Sequence, residues 1–218
     1  MNNNLSFIQS FQNLIRNNFK SIIISIGTIV LLLIFIQIYI YINDQNLKKT
    51  SIKFFNVIND EENIISNLQT ISNDKNIFSV LSKLKIIQIN NKNKNYDVSN
   101  NLYKELISSK DLDNLYVSAI ATNASYTLIN ASYANNTNRY LKDISLYISY
   151  INSDLESYES IKKELEYLNL ITEIDINKLD YKNNNRAQEL YDTILNSNLV
   201  SSSVKERVKK IHEFQLYK

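Results

Sequence analysis

Asn101-Leu102-Tyr103-Lys104-Glu105-Leu106-Ile107-Ser108-Ser109 reads as one amphipathic helix, with Leu102, Tyr103, Leu106 and Ile107 apolar and the rest polar. Apolar residues at i, i+1, i+4 and i+5 fall on a single stripe of a helix. The chain carries this stretch three times. Leu-Tyr pairs stand at 102–103, 146–147 and 190–191, at a constant offset of 44 residues. The apolar positions that follow keep step, as Leu106-Ile107, Tyr150-Ile151 and Ile194-Leu195. The two outer copies align throughout, Asn101–Ser109 over Glu189–Ser197.

Outward from these copies the pattern stays helical. Asparagine-rich turns separate the segments: Asn90-Asn91-Lys92-Asn93-Lys94-Asn95, Asn135-Asn136-Thr137-Asn138 and Asn183-Asn184-Asn185. Another helical stripe follows the first copy, at Leu115, Ala119, Ile120 and Ala124, and one follows the third, at Val204, Val208, Ile211 and Gln215. Ser201-Ser202-Ser203 with Glu206 downstream reads as a capping box, with Ser203 as the cap. Alanine is scarce but clusters at Ala119, Ala121, Ala124, Ala131 and Ala134, so this stretch is expected to be the most buried helix, where small residues admit close neighbours. Proline is absent and the one glycine is Gly27. Both residues are costly in helix interiors, so a chain without them suits an all-α fold, with asparagine taking the left-handed cap positions. An AT-rich genome would produce the same depletion, which tempers that inference. The expected fold is all-α: one N-terminal transmembrane helix, then about seven or eight antiparallel helices paired into a solenoid, since periods of about 20–50 residues signal stacked repeats.

The membrane helix comes from Ile22 to Ile42, an uncharged run broken only by Ser25, Gly27, Thr28 and Gln37. At about 1.5 Å per residue such a run spans a hydrocarbon core of about 30 Å. A signal peptide would have a shorter core of about 7–15 residues and a small-residue cleavage site. The run ends instead in Ile38-Tyr39-Ile40-Tyr41-Ile42-Asn43-Asp44, which reads as a retained anchor with Tyr39 and Tyr41 at an interface. Leu5, Ile8, Phe11, Ile15 and Phe19 fit either a helix lying among headgroups or the first turns of the anchor. The expected division is a tail over 1–20, the transmembrane helix over 21–42, a linker and first helices over 43–75, and the repeat domain over 76–218. Asp60-Glu61-Glu62 reads as the close of the linker helix and the charged start of the next. Charge counts on the two flanks do not decide orientation. The short N-terminal flank favours a cytoplasmic N-terminus and an exported C-terminal domain.

Composition excludes several kinds of chemistry. There is no cysteine, and His212 is the only histidine, so neither thiol catalysis nor a zinc site is available. No glycine-rich phosphate loop exists. Paired carboxylates such as Asp60-Glu61-Glu62 or Asp111 and Asp113 could in principle do acid/base work or hold a cation, but catalysis is not the expected role. The net charge of +2 gives no field for nucleic acid. Lys205, Arg207, Lys209 and Lys210 form either a grip for an acidic partner or headgroups, or the solvated face of the last helix. Fifteen tyrosines are the remaining resource. They suit either a tyrosine-lined groove for extended peptides or a core in which tyrosine replaces phenylalanine. The candidate protein-binding residues are Tyr103, Tyr147, Tyr191, Tyr150 and Tyr116. No cofactor, metal or small-molecule substrate is expected, and no enzyme.

Tyr96–Leu106 resembles the second helix of a tetratricopeptide unit, in which a small residue precedes an aromatic by four and an apolar residue follows by three. Ser99, Tyr103 and Leu106 fit, as do Ala187, Tyr191 and Ile194. The middle copy departs with Asp143 at the small position, and Ser82–Gln88 lacks the small residue of a first helix. The layout as a whole resembles the tetratricopeptide-like membrane proteins identified as ancillary subunits of the SecYEG translocon, with Ile77–Ile86 where those proteins have their first repeat helix. The resemblance implies a single-pass protein of the bacterial inner membrane with a periplasmic repeat domain. It implies protein partners, namely the translocon, periplasmic chaperones or secretory chains, besides membrane lipid. The expected function is a membrane-anchored adaptor assisting translocation or chaperone networks. The alternative is a structural envelope protein that self-associates without binding clients.

Overall fold

The computed structural model describes residues 3–59, 63–74 and 76–218, with backbone alone over 3–27 and 156–157. Asp60-Glu61-Glu62 lie outside the described residues. Among those described, the chain forms nine α-helices and no strand. It divides into two compact units, Met1–Glu62 and Asn63–Lys218.

The first unit is a single helix, α1, Asn3–Ile58, of 56 residues. Its backbone runs unbroken through the residues read above as tail, anchor and start of the linker, so the residues before the apolar run are turns of the same helix. Its large apolar side chains from Ile29 to Ile42 are each between 47% and 74% exposed. Water penalises that surface at about 25 cal/mol per Å², and a hydrocarbon phase does not. Among the described residues α1 is the one helix long and apolar enough to cross a membrane.

The second unit holds α2 (Ile64–Ser72), α3 (Ile77–Lys92), α4 (Tyr96–Ile107), α5 (Asn114–Asn135), α6 (Leu141–Ser149), α7 (Glu156–Ile176), α8 (Asn185–Asn196) and α9 (Ser202–Tyr217). Each packs on the next, α5 also packs on α7, and α7 also packs on α9. Side-chain caps start three of them. Asn76 accepts from the amides of Phe78 and Ser79, Asp113 from Leu115, and Asn184 from Ala187. Asn76 fills two of the orphan donors of a helix N-terminus and the others one each, a cap worth about 1 kcal/mol.

Helices α3, α5 and α7 end in the same way. Lys94, Asn136 and Lys178 adopt φ of 61°, 45° and 53°. The residue after each returns its amide five positions back: Asn95 to Asn90, Thr137 to Ser132 and Leu179 to Ile174, at 2.8, 3.0 and 2.9 Å. This is the Schellman closure, here made without glycine. Asparagine fills one of the left-handed positions, as expected, and lysine fills the other two. The three turns recur every 42 residues, so the repeat is a feature of backbone geometry as well as of side-chain pattern.

The core runs through the unit as two clusters that meet along α7. One joins α3 to α7 around Tyr103, Leu128, Ile144 and Tyr147. The other joins α7 to α9 around Tyr167, Ile171, Ala187, Ile194 and Val208. On α5, Ser118, Ala121, Ala124, Ser125, Ala131 and Ser132 are wholly buried, and these small side chains let α4, α6 and α7 close in. The alanine cluster therefore marks a central helix, although Ala119 and Ala134 are exposed and α7 shares the central position. One expectation is corrected. The cap of α9 is Ser201, not Ser203, and no capping box forms. A tertiary bond competes: the Ser201 amide donates to Ser160 Oγ at 2.9 Å, while Ser160 Oγ donates to Leu199 O at 3.1 Å.

Candidate protein-binding surface

The repeated Leu-Tyr pairs fall on α4, α6 and α8, and in each of the first two the tyrosine faces inward. Tyr103 and Tyr147 are 0% and 1% exposed, edge-to-face at 6.2 Å. The Tyr103 hydroxyl donates to Asn123 Oδ1 and accepts from Asn91 Nδ2 at 3.3 Å. The Tyr147 hydroxyl donates to Asn100 Oδ1 at 2.5 Å. Burial raises the pKa of both phenols. These two tyrosines hold the core and offer no open surface. Tyr191 is half-buried and stacks on His212 at 3.7 Å. Tyr116 and Tyr150 are 57% and 43% exposed, so of the five candidate tyrosines they are the two open to a partner.

The leucine takes the outward side in the first two pairs, while both members of the third are half-buried. Leu146 is exposed, while Leu102 and Leu190 are half-buried in two clefts. The first cleft, of about 620 Å³, lies between α6, α7 and α8, and the second, of about 550 Å³, between α2, α3 and α4. On one side they are built from corresponding residues. Arg186, Leu190 and Thr193 line one wall of the first, and Val98, Leu102 and Glu105 line the same wall of the second, 88 residues earlier. On the other side the residue types recur without the register: Lys162 and Asn169 of α7 line the first, and Lys83 and Asn90 of α3 line the second, 79 rather than 88 residues earlier. In the first cleft, Lys162 Nζ donates to Ile151 O at 3.1 Å and Asn169 Nδ2 to Ser145 Oγ at 3.0 Å. Asn169 Oδ1 has no hydrogen-bond partner among the described residues. That oxygen is itself buried, so what the clefts offer a peptide is the leucine on each wall, a seat for an apolar side chain. The sequence pattern held this information, because the leucines repeat as faithfully as the tyrosines.

Carboxylates tie one repeat to the next. Asp143 on α6 receives Asn100 Nδ2 at 2.5 Å and Lys104 Nζ at 2.8 Å from α4. Glu164 on α7 receives Arg207 through two bonds of 2.6 Å and the Tyr126 hydroxyl at 3.1 Å. Asp175 receives Tyr133, Gln215 and Lys218 at 3.1, 3.0 and 2.8 Å. The partners lie 38 to 43 residues apart, close to one repeat. Burial, then the Glu164 charge, pushes the Tyr126 pKa up to about 12. Arg207 of the basic run is thus committed to an internal contact, and Lys209 and Lys210 remain on the exposed face.

The residues weighed for chemistry have structural places. Asp113 caps α5, and Asp111 is exposed in the turn before it. No group of three potential metal ligands occurs among the described residues. His212 joins a buried chain of hydroxyls: its Nδ1 lies 2.5 Å from the Tyr181 hydroxyl, which lies 2.7 Å from that of Tyr167. Burial lowers the His212 pKa below its ordinary value, against the charges of Asp192 and Glu213. No family model, curated protein or solved structure matches this chain.

Proposed function

We propose that this chain is a membrane-tethered helical-repeat adaptor, anchored by α1, whose second unit binds polypeptide segments. The reading takes α3–α4, α5–α6 and α7–α8 as tetratricopeptide-like helix pairs of a short solenoid, with α9 covering the last pair. It places the repeat unit on the periplasmic side of a bacterial inner membrane. Its clients are then secretory chains, chaperones or the translocon itself. The observation that supports it best is the recurrence, at two places in the unit, of a cleft whose leucine-bearing wall repeats in register and whose lining also includes a lysine and an asparagine. The exposed apolar α1 supports the tether.

The test is in-cell photocrosslinking from Leu102, Leu146 and Leu190, with Tyr103 as a buried control. Crosslinks to exported or translocon proteins from the leucines, and none from Tyr103, are expected. Crosslinks between copies of this chain alone would replace the adaptor with a self-associating structural protein. Cytoplasmic partners alone would reverse the orientation.

A further inference from the structure

The three side chains Tyr167, Tyr181 and His212 form a one-dimensional hydrogen-bond chain whose direction is decidable. Tyr167 is 0% exposed, and its hydroxyl has the Tyr181 hydroxyl as its hydrogen-bond partner. A hydroxyl has one proton to give. If His212 Nδ1 carried a proton and gave it to Tyr181, the Tyr181 proton would turn to Tyr167, and the Tyr167 proton would be left without an acceptor. A buried donor left unpaired is the costly arrangement. In the opposite direction every proton is used: Tyr167 donates to Tyr181, Tyr181 donates to a bare Nδ1, and the ring proton sits on Nε2. The neutral Nε2–H tautomer is therefore built into the packing.

The surroundings of the ring are mixed. On α8, Tyr191 stacks on it at 3.7 Å and 12°, and Asp192 acts on it through charge. On α9 itself, Glu213 adds a second negative charge. The segment before α8 supplies Tyr181, edge-on at 5.5 Å, and α7 supplies Tyr167 behind it. The two carboxylates favour a charged imidazole. Burial opposes it and prevails, so the neutral ring persists below its ordinary pKa of 6.5.

We propose that His212 is a proton-sensitive latch: taking up a proton reverses the Tyr167–Tyr181–His212 chain, strands a hydroxyl in the core and loosens the second half of α9 from α7 and α8. Val208, Ile211 and Leu216 of α9 cover Ile171, Ile174, Ala187 and Ile194, so loosening opens an apolar seam there. Arg207 on Glu164 keeps the start of α9 docked, and the Asp175 contacts of Gln215 and Lys218 restrain its end. The change is thus a partial opening. Its contribution to stability is complete above about pH 6.5 and is lost as pH falls from there through the lowered folded value, because the unfolded chain binds the proton first.

The chain has one histidine, so an isotope-labelled imidazole gives one signal from the full-length protein in lipid nanodiscs. Near neutral pH that signal is expected to report the Nε2–H tautomer. Amide exchange over 208–217, corrected for its intrinsic pH dependence, is expected to speed up about tenfold between about pH 7.5 and about pH 5.5. His212→Gln is expected to abolish that step, and Tyr181→Phe to weaken it and raise the imidazole pKa. An Nδ1–H tautomer at neutral pH overturns the proposal. So does an undiminished exchange step in both variants. If His212→Gln does not fold, the tautomer and the Tyr181→Phe exchange decide.

Discussion

Arg207 on α9 grips Glu164 on α7 through Nε and a terminal nitrogen, both at 2.6 Å, and the two residues are one repeat apart. The Glu164 side chain is 5% exposed and that of Arg207 is 52% exposed. A carboxylate so buried depends on its cation more than the half-exposed cation depends on it. Removing Arg207 leaves Glu164 charged and desolvated, with Tyr126 as its other donor.

Arg207→Ala is therefore expected to destabilise the second unit by about 2 kcal/mol, less than for a wholly buried pair because water still screens the guanidinium. Thermal unfolding followed by circular dichroism, read on the α2–α9 transition of the full chain, measures it. Arg207→Lys should recover less than half, since an ammonium cannot make both bonds. An Arg207→Ala melt equal to wild type would mean that the pair contributes nothing.

The repeated tyrosines differ in what their hydroxyls do. Tyr147→Phe removes the donor to Asn100 inside the core, and a loss of about 1 kcal/mol is expected. Tyr191→Phe keeps the stacked ring and should stay within about 0.5 kcal/mol of wild type. Denaturant midpoints at equal slope distinguish the two, and equal effects would contradict the buried and half-buried assignment.

Alkaline pH should unfold this chain by way of its phenols. Tyr126 keeps its proton in the folded state up to about pH 12, while an unfolded tyrosine releases it from 10.0 upward. The unfolded state then binds fewer protons, so stability falls as pH rises between those values. Tyrosinate absorbance against helicity tests this. Tyr126→Phe should retain helicity to higher pH than wild type.

Lys94 and Lys178 sit at left-handed positions where glycine has no Cβ to crowd the backbone. Lys178→Gly is expected to gain about 0.5 kcal/mol, the relief of strain outweighing the added freedom of the unfolded chain. Lys178→Val should lose more than that, because a β-branched residue resists positive φ. Chemical denaturation of both variants gives the comparison.

Much of the architecture was legible before any coordinates. Period and stripe located α4, α6 and α8, the asparagine turns located their boundaries, and the absence of proline with a single glycine agreed with an all-helical chain. The apolar run marked the one helix among the described residues suited to a membrane. The left-handed turns were half legible, since Asn136 follows the expected asparagine rule whereas Lys94 and Lys178 have no local signal. The capping assignment at Ser203 failed because a serine run offers several equivalent caps, and Ser160, about forty residues away, selects among them.

The sequence by itself determined where helices form, because helix periodicity, turn residues and caps act over a few neighbours. Only the tertiary structure decided how each Leu-Tyr pair is turned, with the tyrosine inward in the first two and both members half-buried in the third. Adjacent residues are about 100° apart on a helix, so a small rotation about its axis exchanges their burial. That rotation is set by what the neighbouring helices bring: Asn123 and Tyr147 for Tyr103, Asn100 for Tyr147, and His212 for Tyr191. The same packing joined Glu164 to Arg207 and Tyr181 to His212, pairs that no local rule connects.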